Sequence, residues 1–126
     1  MGKIIIGDEL KEVTILMPCL NEEETLEQCI IRAKKLFSDN EINGEILISD
    51  NGSTDSSKEI ALKLGARVIE CDIKGYGAAL NNGIKHAEGN IILMADSDDS
   101  YHFDEAMPLI EKVREGFDIC MGTRLK

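Results

Sequence analysis

Short apolar runs of about five residues alternate along the chain with longer segments whose apolar positions recur every three or four residues. The first pattern suits strands and the second suits amphipathic helices. Strands are predicted at residues 13–17, 45–49, 66–71, 91–95 and 117–121. Several lack strict polar alternation, as strands covered on both faces do. Strand and helix in turn predict an α/β fold: a Rossmann-like, mainly parallel sheet with helices on both faces.

Between the first two strands, Leu26, Cys29, Ile30, Ala33, Leu36 and Phe37 mark out one apolar helix face. Asn21 is the predicted N-cap, with Glu22, Glu23 and Glu24 in the first turn, where the helix dipole favours negative charge. A second helix is predicted to start near Asp55 or Ser56, with Ser56 and Glu59 at capping-box spacing, and to stop at Gly65. A third is expected over residues 78–87, halted by Gly89. A fourth, over residues 104–114, should bury Leu109, Ile110 and Val113. Residues 1–12 precede the pattern, and Ile4, Ile5 and Ile6 suit either an added strand or a leader.

Right-handed crossovers bring the C-terminal ends of parallel strands to one edge of the sheet, where ligands of open α/β sheets bind. The residues just after each strand are therefore the candidates for function. After the first strand, Pro18 is expected to end the strand and stiffen the turn, so that Leu20 and Glu22 face a ligand. Taken alone, the segment is explained more simply as a plain N-capped helix start. After the second strand, Asp50 should offer acceptor oxygens to a base N–H or a ribose hydroxyl, while Gly52 allows a sharp turn. After the third, Lys74, Gly75, Tyr76 and Gly77 suit either an anion at a helix N-terminus or an ordinary glycine-rich connection. A dinucleotide fingerprint does not fit there, because its third glycine is missing and the loop follows the wrong strand.

The fourth strand runs directly into Asp96, Ser97, Asp98 and Asp99. In extended chain, residues two apart face one way, so the carboxylates of Asp96 and Asp98 converge while Ser97 points aside. Carboxylates about 4 Å apart repel by about 4 kcal/mol at an intermediate dielectric, and a divalent cation reverses that sign. Oxygen-only ligands suit Mg²⁺ or Mn²⁺, the substrate phosphates completing the shell. The competing reading is a solvated acidic loop that caps the fourth helix.

Composition narrows the field. A chain of 126 residues with 43% hydrophobic content supports one compact domain, taken here as residues 13–126. Its formal charge of −10 comes without a basic cluster, so nucleic acid is not an expected partner. No apolar run reaches the roughly 18 residues of a membrane span, and the N-terminus lacks a signal-peptide pattern. A cytoplasmic location is expected. Cys19, Cys29, Cys71 and Cys120 stand singly, which suits reduced core thiols rather than zinc ligands.

Taken in order, VTILMPCLNEEE, ILISDNGSTD, KGYGAALNNGIKHAEG, IILMADSDD and DICMGTR resemble the family-2 glycosyltransferases of the GT-A fold, across nearly all of residues 13–124. Within that family the chain is most similar to the type that moves a sugar from a nucleotide donor to a polyprenyl phosphate, the dolichyl-phosphate mannosyl- and glucosyltransferases. The resemblance implies that Asp50 holds the base and that Pro18, Leu20 and Glu22 touch base and ribose. It implies that Asp96 and Asp98 bind metal and diphosphate, and Ser97 is counted among the donor-binding positions. Lys74 and Gly75 fall where base or ribose contacts are common, and Arg124 where a phosphate-binding arginine is common.

The implied reaction is inverting transfer of a hexose from a UDP or GDP sugar to a polyprenyl phosphate or other acceptor, assisted by Mg²⁺ or Mn²⁺. Ser100 stands where close relatives with a DxDxQ pattern place a third metal-facing side chain. A full family member continues past residue 126 with acceptor-binding and, often, membrane-associated elements, so the chain is expected to stop short of the complete enzyme and to be inactive by itself. Two rivals remain. A DxD phosphohydrolase would carry its motif after the first strand, not the fourth. The other is a non-catalytic module: a nucleotide-sugar-binding domain, or a signalling receiver, whose acids would also cluster after the first strand.

Overall fold

The computed structural model describes residues 11–95 and 106–114. Four parallel strands, β1 (Val13–Cys19), β2 (Gly44–Asp50), β3 (Arg67–Glu70) and β4 (Ile91–Met94), lie in the order β3-β2-β1-β4. Helices α1 (Leu26–Asp39), α2 (Ser57–Lys63) and α3 (Tyr76–His86) make the crossovers, and α4 (Ala106–Arg114) follows β4. The predicted α/β architecture is thus present, and the predicted fifth strand at 117–121 lies outside the described residues.

Side-chain alternation assigns the faces. Val13, Ile15, Met17 and Cys19 share a buried cluster with Leu26, Cys29, Ile30 and Ala33 of α1, and with Ala106 and Ile110 of α4. Ile46 and Ile48 extend it towards Ala61 of α2. Leu16 points the other way, directly against Gly83 of α3, where a β-carbon would collide with the leucine methyls. Ser49, on that same face, is fully buried and donates its hydroxyl to Ala79 O at 2.7 Å. Helices therefore cover both faces. The strand order reverses beside β1, the place where doubly wound sheets open a crevice.

At the N-terminal edge, Glu45 ties four segments together. Its carboxylate accepts from the Thr14 hydroxyl at 2.6 Å, Arg67 Nε at 3.1 Å and the Glu88 amide at 2.8 Å. Thr14 in turn accepts from the Gly89 amide at 2.8 Å. A cavity of about 530 Å³ opens beside it between Phe37, Gly44, Leu64 and Arg67. It lies at the opposite end of the strands from the edge that binds ligands in this architecture.

Three expectations are corrected. Pro18 does not end the first strand, which continues to Cys19 in register with Asp50. Main-chain groups of alternate residues point to opposite neighbours, and Cys19 O accepts from Asn51 N on the β2 side. The nitrogen of Pro18 therefore faces the β4 side, and among the described residues the β1–β4 register runs as far as Leu16 and Met94. Asn21 does not cap α1. The cap is Thr25, Asn21 has φ 54°, and Glu22 to Glu24 precede the helix instead of filling its first turn. Ser56 caps α2 without a side-chain hydrogen bond, and Asp55 takes that role by accepting from the Ser57 amide at 2.9 Å.

Candidate functional site at the C-terminal edge

Asp50 closes β2 and is 1% exposed. The amide of Asn51 donates to Cys19 O and that of Cys71 to Asp50 O, both at 2.8 Å, so the acid is held between β1 and β3. Its Oδ2 accepts from the Gly52 amide at 3.1 Å and the Ser53 amide at 2.9 Å, an Asx-type turn made possible by Gly52 at φ 99°. Its Oδ1 is buried and has no hydrogen-bond partner among the described residues. A buried carboxylate oxygen left unpaired costs about 1–3 kcal/mol or more, and Oδ1 has the capacity to accept a further donor.

The β1–α1 loop is knitted to the turn after Asp50. The Asn21 amide donates to Ser53 Oγ at 2.9 Å, and Asn21 Oδ1 accepts from the Thr54 amide at 2.8 Å. The Glu22 amide donates to Ser57 Oγ at 3.0 Å, and Glu23 Oε1 accepts from the Ser56 amide at 2.8 Å. Although burial pushes the Asp55 carboxyl up, hydrogen bonds from the Ser57 hydroxyl and neighbouring amides hold it below its ordinary value. Burial above all pushes the Cys19 thiol up, and the nearby Asp50 carboxylate adds to this despite hydrogen bonds that lower it. Cys19 therefore remains a neutral space-filler.

The third loop reaches the same place. Asn51 is 5% exposed; its Nδ2 donates to Cys71 O at 3.2 Å and Ile73 O at 2.9 Å, while its Oδ1 accepts from the Gly75 amide at 2.8 Å. Lys74 folds back over the turn, its Nζ 3.3 Å from where a Gly52 β-carbon would stand. Leu20, 47% exposed, and Glu22 border the opening, whereas Pro18 is buried in β1 beside Ser49.

Of the predicted positions, Leu20, Glu22, Asp50, Lys74 and Gly75 thus share one edge with Pro18 beneath them. Ala95, whose amide donates to Leu16 O at 2.9 Å, carries β4 towards that edge. Asp96, Ser97, Asp98 and Arg124 lie outside the described residues. Among the described residues, no group of three or more His, Cys, Asp or Glu side chains is placed to hold a metal. Cys19, Cys29 and Cys71 are free and buried. Sequence reasoning missed Asn21 and Asn51 as clasps between loops. Their only signal was asparagine, with both donor and acceptor, beside a turn.

A doubly wound sheet with a half-paired acid and a lysine-bearing loop at its carboxyl edge defines an α/β protein of the Rossmann-like class. Residues 14–126 match the family described as Glycosyl transferase family 2, and the chain belongs to that family. It is 43% identical over 121 residues to the low-salt glycan biosynthesis hexosyltransferase Agl6 of Haloferax volcanii, covering 95% of this chain and 29% of that protein. It is 27% identical over 114 residues to a dolichyl-phosphate hexose transferase of the same organism, covering 90% of this chain and 48% of that protein.

Among solved structures it is similar to glucosyl-3-phosphoglycerate synthase from Mycobacterium tuberculosis, crystallised with Mn²⁺, UDP-glucose and phosphoglyceric acid. There the TM-score is 0.61 at 28% identity, over 69% of this chain and 33% of that one. The fold is that of GT-A glycosyltransferases. The chain spans between 29% and 48% of the length of these proteins.

Proposed function

We propose that this chain forms the donor-binding part of an inverting hexosyltransferase that moves a sugar from a UDP or GDP sugar to a polyprenyl phosphate. The single observation that carries this reading is Asp50: a buried carboxylate at the carboxyl edge, with one oxygen paired to its own turn and the other unpaired. A pyrimidine or guanine N–H is the kind of donor that such an oxygen lacks. Lys74 stands over the same turn, where its ammonium would meet ribose or phosphate oxygens. Leu20 and Glu22 would border the base and ribose. The polyprenyl phosphate is supported by the named acceptor of the dolichyl-phosphate relative.

Asp96 and Asp98 are the residues that would hold Mg²⁺ or Mn²⁺, because two carboxylates are a donor set suited to a hard cation. When bound, the cation offsets negative charge on the departing nucleoside diphosphate. Arg124 would add a second positive charge to the diphosphate. A phosphate acceptor is already anionic, so no general base is invoked among these residues. The reaction belongs at the cytoplasmic face of a membrane, where a nucleotide sugar and a polyprenyl phosphate meet.

Calorimetry with UDP and GDP, with and without Mn²⁺, tests the reading. Binding of one nucleotide should weaken by about tenfold or more in Asp50→Asn, a charge-assisted hydrogen bond being worth about 1.5–3 kcal/mol. It should lose its metal dependence in Asp98→Ala. Full-strength, metal-independent binding in both variants would overturn the assignment.

A further inference from the structure

One buried side chain grips both neighbours of Lys74. Asn51 Nδ2 donates to the carbonyl of Ile73, the residue before the lysine, and Asn51 Oδ1 accepts from the amide of Gly75, the residue after it. A second Nδ2 bond, to Cys71 O, anchors the start of the loop. Three of the four hydrogen bonds available to a primary amide are used, and the orientation matches every donor to an acceptor. Gly75 sits at φ 122°, a conformation that its own side-chain-free backbone permits but does not select. Without Asn51, neither end of the Ile73–Lys74–Gly75 segment has this anchor on the Asp50 turn.

We infer that Asn51 is a positioning residue for the nucleotide site: its amide fixes the loop that carries Lys74, and so holds the Lys74 ammonium over the Asp50 turn. The inference rests on the donor-site reading above. It gives the second residue of the Asp50–Asn51–Gly52 turn a role separate from that of the first. Asp50 meets the ligand, whereas Asn51 acts through Lys74. The role requires an amide. Aspartate at position 51 could still accept from Gly75, but it would face the carbonyls of Cys71 and Ile73 with no proton to give them.

The test is a double-mutant cycle on UDP binding in the presence of Mn²⁺, using Asn51→Ala, Lys74→Ala and the pair, at a temperature where all are folded. Each single change should weaken binding about tenfold, and the pair should be no more than about twofold worse than either, because removing Asn51 already misplaces the lysine. Losses that multiply to about a hundredfold would overturn the inference, since a merely structural role has no reason to vanish with Lys74.

Asn51→Asp adds a signature that general destabilisation lacks. It should bind as weakly as the alanine variant at pH 8 and recover relative to the unaltered protein as the new carboxyl gains a proton to donate. The Gly75 amide, read by hydrogen exchange in the nucleotide-free protein, should exchange much faster in Asn51→Ala. Unchanged exchange alongside intact nucleotide binding would overturn the clamp alone. No nucleotide binding by the unaltered protein would overturn the donor site and the role of Asn51 with it.

Discussion

Asn21 shows how one residue can serve a loop in two separable ways. Its backbone takes a left-handed turn at φ 54°, and its side-chain oxygen receives the amides of Thr54 and Asp55 at 2.8 and 3.3 Å. Asn21→Gly keeps the turn and removes the acceptor, whereas Asn21→Ala removes the acceptor and adds left-handed strain. The alanine variant should unfold with up to about 1 kcal/mol less stability than the glycine variant, measured by urea titration. Equal losses would mean that the backbone twist carries no strain. Gly83 makes the opposite case, since alanine there would favour α3 intrinsically by about 1 kcal/mol. The new methyl would nevertheless run into fully buried Leu16, and overpacking costs about 1–3 kcal/mol, so Gly83→Ala should be neutral to destabilising by about 2 kcal/mol. A stabilised variant would show that α3 can lift from the sheet without penalty.

Among the elements, Glu45 is the joint on which β1, β2, β3 and the turn before β4 depend. Burial pushes its carboxyl up, but the combined hydrogen bonds from Arg67, Thr14 and the Glu88 amide win and hold it below its ordinary 4.5. A depressed native pKa means that the unfolded chain binds the proton more readily. The stabilisation is therefore complete above about pH 4.5 and fades as pH falls through the lower native value. Glu12, drawn down by its hydrogen bond to Arg114, acts in the same direction. Glu45→Gln should lose about 1–3 kcal/mol at pH 7 and show a flatter acid limb, seen in urea midpoints between pH 3 and 6. An unchanged pH profile would assign the acid sensitivity to other carboxylates. The strands around this joint were legible because apolar runs report burial on both faces, and Gly65, at φ 90°, was legible as a helix stop. The starts of α1 and α2 were not. Asn21 is engaged by residues more than thirty positions away, and Asp55 displaces Ser56 at the second cap. Capping rules read neighbours along the chain, while these polar groups found partners across it.

Across the whole molecule, the crossovers collect three loops at one end of the sheet, and their mutual hydrogen bonds leave an unpaired oxygen of Asp50 among them. The acid itself was legible, because a charged residue ending an apolar strand has few structural uses. The clasp of Asn51 on Ile73 and Gly75 was not, since nothing in spacing tells which loops will touch. A nucleotide that bridges Asp50 and Lys74 would join the β2–α2 turn to the β3–α3 loop, and anything that binds only the folded state shifts the unfolding equilibrium towards it. At a hundred times its dissociation constant the gain is about 2.7 kcal/mol, which for a chain of this size is on the order of 10 °C in the melting midpoint. UDP or GDP with Mn²⁺ should therefore raise the midpoint by that order, EDTA should remove the metal-dependent share, and Asp50→Asn should reduce the shift to less than half. A shift of full size that persists in Asp50→Asn with EDTA present would place the nucleotide elsewhere on the protein, because neither the unpaired oxygen nor a carboxylate-held cation would then contribute to its binding.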